Sequence, residues 1–466
     1  MLPDDALLAI FDFCLDENEM WKREIEAWQT LVHVCRRWRS VVFGSPRRLN
    51  LRLVCTNNTP TRDTLDVWPA LPLVIQCFTG VAIENVDNVV AVLERSNRVC
   101  QIFLPEVSSS DLEQVSPAMQ VPFPELTILR LGSTEKTLPV LPDSFLDGSA
   151  VNLRDLYFDG IPFPGLPKLL SSATCLVNLD LVRIPHSGYI SPEAMITAFP
   201  ALTSLRNLSL GFTSPRSRPD QASRRPPPPT HVVLPVLTRF CFKGASEYSE
   251  DLVASIDAPR LAIFDINFIN DIVFDMPQLI QFIGRTPMLN PFEKASISFD
   301  KGHASVSITS PSSHLTPFQG LLVRISCKEL DRLVSFVELV CTSCLPPLFI
   351  LEDLCIWEVP YSPPVWEDNI ENTLWLELLR PFTAVRNLYL SKEFAPRIVP
   401  ALQELNGSRT TEVLPALENI FLEGFEPAGP VHEGIGQFVA TRQVTGHPIA
   451  VSCWGRESSL YFEVSG

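Results

Sequence analysis

Long apolar runs are missing from this chain. The strongest stretch, Leu261 to Ile283, is cut by Asp265, Asp271 and Asp275, so no segment supplies the roughly 20 consecutive apolar residues of a spanning helix. Met1 leads straight into an acidic segment, and no secretory leader is expected. These features predict a soluble protein with no membrane partner. Basic charge is also short: 37 Lys and Arg face 53 Asp and Glu, a net −16. That argues against non-specific nucleic-acid binding, which needs a basic surface. The deficit is uneven. Residues 1–55 hold eight charges of each sign, which leaves 29 basic against 45 acidic in the remainder and favours basic partners there. Twelve cysteines in 466 residues are too dilute for a disulfide scaffold, and many sit in apolar runs such as Leu354-Cys355-Ile356. Reduced, buried thiols of a cytoplasmic or nuclear protein are expected.

Catalytic motifs are lacking as well. The chain has no Gly-x4-Gly-Lys-Ser/Thr, no Gly-x-Ser-x-Gly and no His-Glu-x-x-His. Gly434-Ile435-Gly436 lacks the third glycine of a dinucleotide loop. Cys341-Thr342-Ser343-Cys344 is a single CxxC pair, and His303 and His314 stand at no diagnostic zinc spacing from it. The seven histidines are scattered, and none marks an activated nucleophile. The expectation is a non-catalytic chain without metal or cofactor. The alternative is an enzyme on an irregular α/β body, which a deep pocket with convergent His and carboxylates would reveal.

What the chain does have is two short apolar helical segments at its start. The first follows Leu2-Pro3-Asp4-Asp5, in which Pro3 sets a helix entry and the aspartates can accept first-turn N–H groups. Leu7, Leu8, Phe11 and Leu15 share one helical face, and Ile10, Phe13 and Cys14 share a second. In the other segment Trp28, Leu31, Cys35, Trp38 and Val42 recur at steps of 3 and 4, one stripe of a single helix, with Val34 and Val41 off it. A short helix that is apolar around most of its girth shares its surface between its own core and a partner.

The body repeats apolar-x-x-apolar-x-apolar. Clear copies are Leu126/Leu129/Leu131, Leu153/Leu156/Phe158, Leu176/Leu179/Leu181, Leu205/Leu208/Leu210, Leu237/Phe240/Phe242, Leu261/Phe264/Ile266, Leu351/Leu354/Ile356, Val385/Leu388/Leu390 and Leu417/Ile420/Leu422. Weaker copies begin at Leu71, Val99, Phe292 and Leu322, and successive starts lie 23 to 34 residues apart. That period suits stacked units of one strand and one return, each unable to bury its apolar side alone. Most copies lack the usual turn-forming Asn after the strand, so the array is irregular. An insert at 213–230, TSPRSRPDQASRRPPPPT, cannot continue a strand or helix and is expected to be a flexible Pro/Arg-rich loop. Beyond it, Glu371 to Leu379 and Pro400 to Leu405 read as helices. Trp357, Trp366, Trp375 and Trp454 are expected to pack the last repeats.

The N-terminal residues resemble an F-box. That family opens with Leu-Pro and an acidic, leucine-rich helix and closes with Val-Cys-basic-basic-Trp, here Leu2-Pro3 and Val34-Cys35-Arg36-Arg37-Trp38. With Trp375-Leu376-Glu377-Leu378-Leu379-Arg380-Pro381-Phe382 included, the chain is similar to the large F-box families of mushroom-forming fungi. The 16–27 connection is longer than compact F-boxes carry, and the family's lead-in residues have no counterpart before Leu2. The resemblance implies docking to a Skp-type adaptor of a cullin–RING (SCF-type) ubiquitin ligase through Leu2, Pro3, Leu7, Leu8, Ile10, Phe11, Val34, Cys35 and Trp38. The expected fold class is α/β: an F-box-like helical segment over 1–53, then an irregular leucine-rich-repeat solenoid over 54–466. The solenoid would hold a target protein, with Arg130, Tyr157, Asp180, Ser209 and Tyr389 as contact candidates between the apolar strand positions. An interaction scaffold of the same shape without a ligase role is the alternative.

Overall fold

The computed structural model describes residues 2–14, 24–46, 48–56, 59, 61–77, 85–214, 231–269, 276–289, 293–300, 303–309, 320–326, 334, 337, 341, 348–359, 371–405, 411–424 and 429–455. Several sequence expectations lie outside them: Leu15, residues 16–23 of the first connection, residues 215–230 of the insert, Phe292, His314, Cys344, Trp366 and Asn406-Gly407. The chain divides into two compact units, Met1–Leu205 and Arg206–Gly466. Each is mixed α/β around a mostly parallel sheet, and among the described residues no sheet closes into a barrel. Among them, too, no helix is long and apolar enough to cross a membrane.

The first unit opens with helices α1 (Asp4–Cys14), α2 (Glu24–Val34) and α3 (Arg36–Gly44). Its strands are β1 (Leu53–Cys55), β2 (Leu73–Gln76), β3 (Val99–Leu104), β4 (Ile128–Gly132), β5 (Asp155–Asp159) and β6 (Asn178–Ile184). They pair in sequence order, all parallel. Helices α4 (Thr61–Val67), α5 (Val86–Leu93), α6 (Ser109–Val115), α7 (Leu166–Leu170) and α8 (Pro192–Ala198) return the chain. Register follows the leucine pattern. Ile102, Leu129, Leu156 and Leu179 face one another across four strands, as do Leu104, Leu131, Phe158 and Leu181, and all are buried. Alternation sends the residues between them to the opposite face. A repeated backbone device closes successive turns: the Thr127 carbonyl accepts from the N–H groups of Arg154 and Asp155 (2.8 and 3.1 Å). The Arg154 carbonyl accepts from those of Val177 and Asn178 (2.8 and 3.0 Å).

The second unit contains β7 (Asn207–Phe212), β8 (Val232–Val233), β9 (Arg239–Gly244), α9 (Ser246–Val253), β10 (Ile256–Asp257), β11 (Ile263–Ile269) and α10 (Pro277–Gly284). These precede β12 (Lys294–Asp300), β13 (His303–Thr309) and β14 (Gly320–Ser326). Then come β15 (Asp353–Glu358), α11 (Asn372–Leu379), β16 (Asn387–Leu390), α12 (Ala395–Gln403), β17 (Asn419–Glu423), α13 (Pro430–Val444) and β18 (Ala450–Trp454). β8 and β10 form a separate two-stranded parallel pair. The main order here is β7-β9-β11-β14-β13-β12-β15-β16-β17-β18, so the chain does not simply stack forward. β12, β13 and β14 form an antiparallel meander laid in reverse, with β14 parallel to β11 and β12 parallel to β15.

That meander corrects two sequence expectations. The copy placed at Leu322 is off register: Leu321, Val323 and Ile325 are the buried residues of β14, and Leu322 pairs in the outer row. β13 carries no leucine copy at all, yet Ala304, Val306 and Ile308 bury one face. Gly320 makes the close approach workable, since at φ 151° a Cβ there would meet the Ile308 carbonyl oxygen at 2.1 Å. Downstream, α11 matches the expected 371–379 helix, whereas α12 starts at Ala395, five residues before Pro400, because Pro396 suits its first turn.

Candidate functional site

The N-terminal helices sort their apolar residues onto two sides. Leu7, Leu8 and Phe11 of α1 are buried, and the Phe11 ring meets Trp38 of α3 edge-on at 4.8 Å. Trp28 of α2 is buried against Trp68 (5.2 Å between ring centroids) and donates its indole N–H to the Arg52 carbonyl at 3.0 Å. Arg37 ties α3 to the start of α1. Its guanidinium donates to Asp4 Oδ1 from Nε (3.1 Å) and Nη2 (2.6 Å), and also to the Leu2 carbonyl. Both partners are substantially exposed, which limits the pair to about 1 kcal/mol or less.

The other side stays open. Phe13 is 82% exposed, Val34 59%, Leu2 53% and Ile10 44%. Pro3 and Cys35 are exposed and Trp38 is half-buried. Thus Leu7, Leu8 and Phe11 build the fold of this segment, and Leu2, Pro3, Ile10, Val34 and Cys35 present surface. Phe13, the most exposed large apolar side chain of this segment, shares the face of Ile10 by helical period and lies outside the expected docking set. The stripe from Trp28 to Val42 is not one helix. Cys35 adopts an extended backbone (φ −161°, ψ 167°) between α2 and α3, and its Sγ accepts from the Trp38 N–H at 3.4 Å. The break turns Val41 inward with Val42 and leaves Val34 outside.

On the outer strand face of the first unit, Arg130, Tyr157 and Asp180 sit side by side in register on β4, β5 and β6. Polar groups around them are already engaged. Arg130 makes a two-pronged contact with Asp155, Nε to Oδ1 at 2.9 Å and Nη2 to Oδ2 at 3.0 Å, and the Asn178 amide adds a third donor at 3.2 Å. Asp159 accepts from the Tyr157 hydroxyl (3.3 Å) and from Arg183, whose Nη2 also reaches the Ser133 carbonyl (3.0 Å). The Asp155 hydrogen bond raises the Arg130 guanidinium further above its ordinary value. Burial, then the neighbouring Asp159, pushes the Tyr157 phenol up. Asp155, Asp159, Asn178 and Arg183 escaped the sequence reading because their partners lie a full repeat away, at separations of 23 to 25 residues.

In the second unit Ser209 and Tyr389 share one transverse row of the outer face, which runs through Cys241, Asp265, Leu322, Ser307, Ser296 and Cys355. Seven strand spacings separate them, about 34 Å. The structure therefore does not bring these two candidates together. Around Tyr389 the face is aromatic. Its ring stacks on Phe421 (4.5 Å, 10°), Trp454 meets it edge-on at 5.7 Å, and the Lys294 ammonium lies 5.8 Å from its centroid. Trp357 is half-buried and donates to Ser296 Oγ at 2.8 Å, while Trp375 is buried in the interior. Near the other end of the row Arg324 pairs with Asp265 at 2.5 Å, and burial outweighs that partner in raising the Asp265 carboxyl.

Among the described residues no group of three or more His, Cys, Asp and Glu side chains is arranged to hold a metal ion. His303 instead pairs with Asp300 at 2.8 Å, and Cys341 is buried. No protein-family model matches this chain, and no curated protein does either.

Proposed function

We propose that this chain is a substrate receptor of a cullin–RING ubiquitin ligase. In this reading residues 1–53 are an F-box-like segment that docks a Skp-type adaptor, and residues 54–466 are an irregular leucine-rich-repeat array whose outer strand face holds a target protein. One observation carries it. Four of the thirteen exposed large apolar side chains among the described residues fall within residues 2–34, including Phe13, the single aromatic of that set. Exposed apolar residues on a segment whose own core is already filled by Leu7, Leu8, Phe11 and Trp28 suit a partner. In-register leucines at one strand per repeat support the repeat-array reading. The receptor acts by proximity: it holds target and ubiquitin-loaded enzyme together and raises their effective concentration without performing bond chemistry itself.

Co-expression with a Skp-type adaptor tests the docking half. Leu8 is 6% exposed, so Leu8→Asp would report on folding. Phe13→Asp and Val34→Asp alter surface residues and report on docking. Wild type is expected to co-purify with the adaptor, and the double variant to lose it while keeping its thermal unfolding midpoint. Failure of the wild type to bind, or undiminished binding by the double variant, overturns the proposal.

A further inference from the structure

We infer that the aromatic end of the second unit's outer face binds a basic, extended segment of a target protein, with arginine or lysine side chains against Tyr389, Phe421 and Trp454. This rests on the reading of the chain as a target receptor and names where the target binds and what chemistry it presents. Three independent features point there.

The first is geometry. Tyr389, Phe421 and Trp454 form one cluster on β16, β17 and β18, each half-buried on a face where the intervening strand residues look outward. Beyond the intervening β15, whose Trp357 donates to Ser296 Oγ, the outer face of β12 and β13 carries Ser296, Ser298, Ser305 and Ser307 in two facing pairs, with Lys294 at the start of β12. An extended chain crossing β16, β17 and β18 would meet all three rings.

The second is charge. Residues 351–424, which carry β15, β16 and β17, contain twelve Asp and Glu against five Lys and Arg, a net −7 out of −16 for the whole chain. Two of these carboxylates, Glu352 and Glu418, are 60% and 59% exposed at the strand starts, where the single Arg386 pairs with both (4.0 and 3.6 Å). A cationic segment is therefore drawn to this end of the unit. The third is a contact within the chain: the Lys294 ammonium lies 5.8 Å from the Tyr389 centroid, which shows that this ring accepts a cation. In the first unit Phe103 has a similar contact with Arg130 (5.9 Å), but there the arginine is also held by Asp155, and among the described residues no cluster of three rings forms on that face.

Fluorescence anisotropy of the full chain with a labelled synthetic peptide of alternating Arg, Gly and Ser, at about 150 mM salt to screen diffuse attraction, tests this. The arginine peptide is expected to bind, and its citrulline counterpart to bind at least about tenfold more weakly, in line with loss of a desolvated cation–π contact. Tyr389→Leu combined with Phe421→Leu keeps apolar bulk and removes the rings; it should weaken the arginine peptide about tenfold while the unfolding midpoint holds. Arg130→Gln should change nothing. The inference is overturned if the arginine peptide does not bind or if citrulline serves equally well. It also fails if the leucine variant binds undiminished, or if sedimentation shows that the aromatic end joins two copies of this chain. Running the adaptor co-purification on the same proteins separates the two readings. Loss of adaptor with peptide binding intact removes the ligase role alone, and loss of peptide with adaptor intact removes this site alone.

Discussion

The outer strand faces of the two units solve the same problem differently. Each lies opposite a leucine-rich interior and must leave its own side chains in water. In the first unit the answer is a charged ladder, with Asp155 gripped by Arg130 and Asn178, and Asp159 by Tyr157 and Arg183. The second also carries an ion pair, Arg324 with Asp265, but around Tyr389 its face is aromatic, with that ring stacked on Phe421. Cross-strand ion pairs spend their hydrogen-bonding capacity on register, since a one-residue slip would separate every pair. Stacked rings hold each other through their faces and leave edges for something else. A polar strand face can thus be the less available of the two for binding.

The sharpest contrast should come from thiol chemistry at the two ends of the strand series. Cys55 of β1 is buried, and burial raises its thiol to about 11. Cys453 of β18 is exposed. At pH 8 ionisation alone should slow Cys55 alkylation about a hundredfold relative to an ordinary thiol, and burial should slow it further. Timed iodoacetamide labelling with peptide mass spectrometry should find Cys453 modified early and Cys55 only on unfolding. Equal rates would mean that β1 is not sealed as the first unit requires.

Next in size are the interiors, where the units should behave alike. Leu156→Ala and Leu388→Ala each empty a fully buried site between paired strands and should cost about 2–5 kcal/mol by denaturant titration. A loss below about 1 kcal/mol at either position would show that its interior relaxes to fill the cavity. On the outer faces the cost should fall. Asp155→Ala removes the acceptor of Arg130, but Arg130 is 46% exposed and can turn to water, so about 1 kcal/mol is expected. A double-mutant cycle with Arg130→Ala should return most of that as coupling. A coupling near zero would make the ladder decorative.

Much of this arrangement was legible in the residues. Helical period put Leu7, Leu8 and Phe11 on one side of α1 and Ile10 and Phe13 on the other, as the burial shows. The leucine spacing located β4, β5, β6, β7, β9 and β11. Failures had physical causes. Cysteine is a rare helix cap, so nothing in Trp28 to Val42 announced the break at Cys35. In β14 the run Leu321-Leu322-Val323 permits either register, and the need to keep Arg324 outside decides it. β13 alternates serine with Ala304, Val306 and Ile308, a clean strand signal that a search for leucine spacing passes over. The Arg130–Asp155 ladder could not be seen, because it depends on which strands become neighbours.

The smallest effect belongs to the reversed meander, the element that departs from the forward order of the first unit. His303 and Asp300 face each other where β12 turns into β13, with Nδ1 and Oδ1 2.8 Å apart. The Asp300 hydrogen bond holds the imidazole above its ordinary value, against a smaller opposing effect of burial. A group whose folded value is raised binds its proton more tightly folded than unfolded. The stabilisation is therefore fully present below the ordinary histidine value, about 6.5, and disappears as pH rises through the raised one. Because His303 is 47% exposed, water screens the pair and only a few tenths of a kcal/mol are at stake. Thermal unfolding of wild type should lose a small increment between mildly acidic and mildly alkaline pH that His303→Gln lacks, while a first-unit variant such as Asp155→Ala keeps it. If His303→Gln retains the full increment, the titrating group lies elsewhere and the turn is held by the β12–β13 ladder alone.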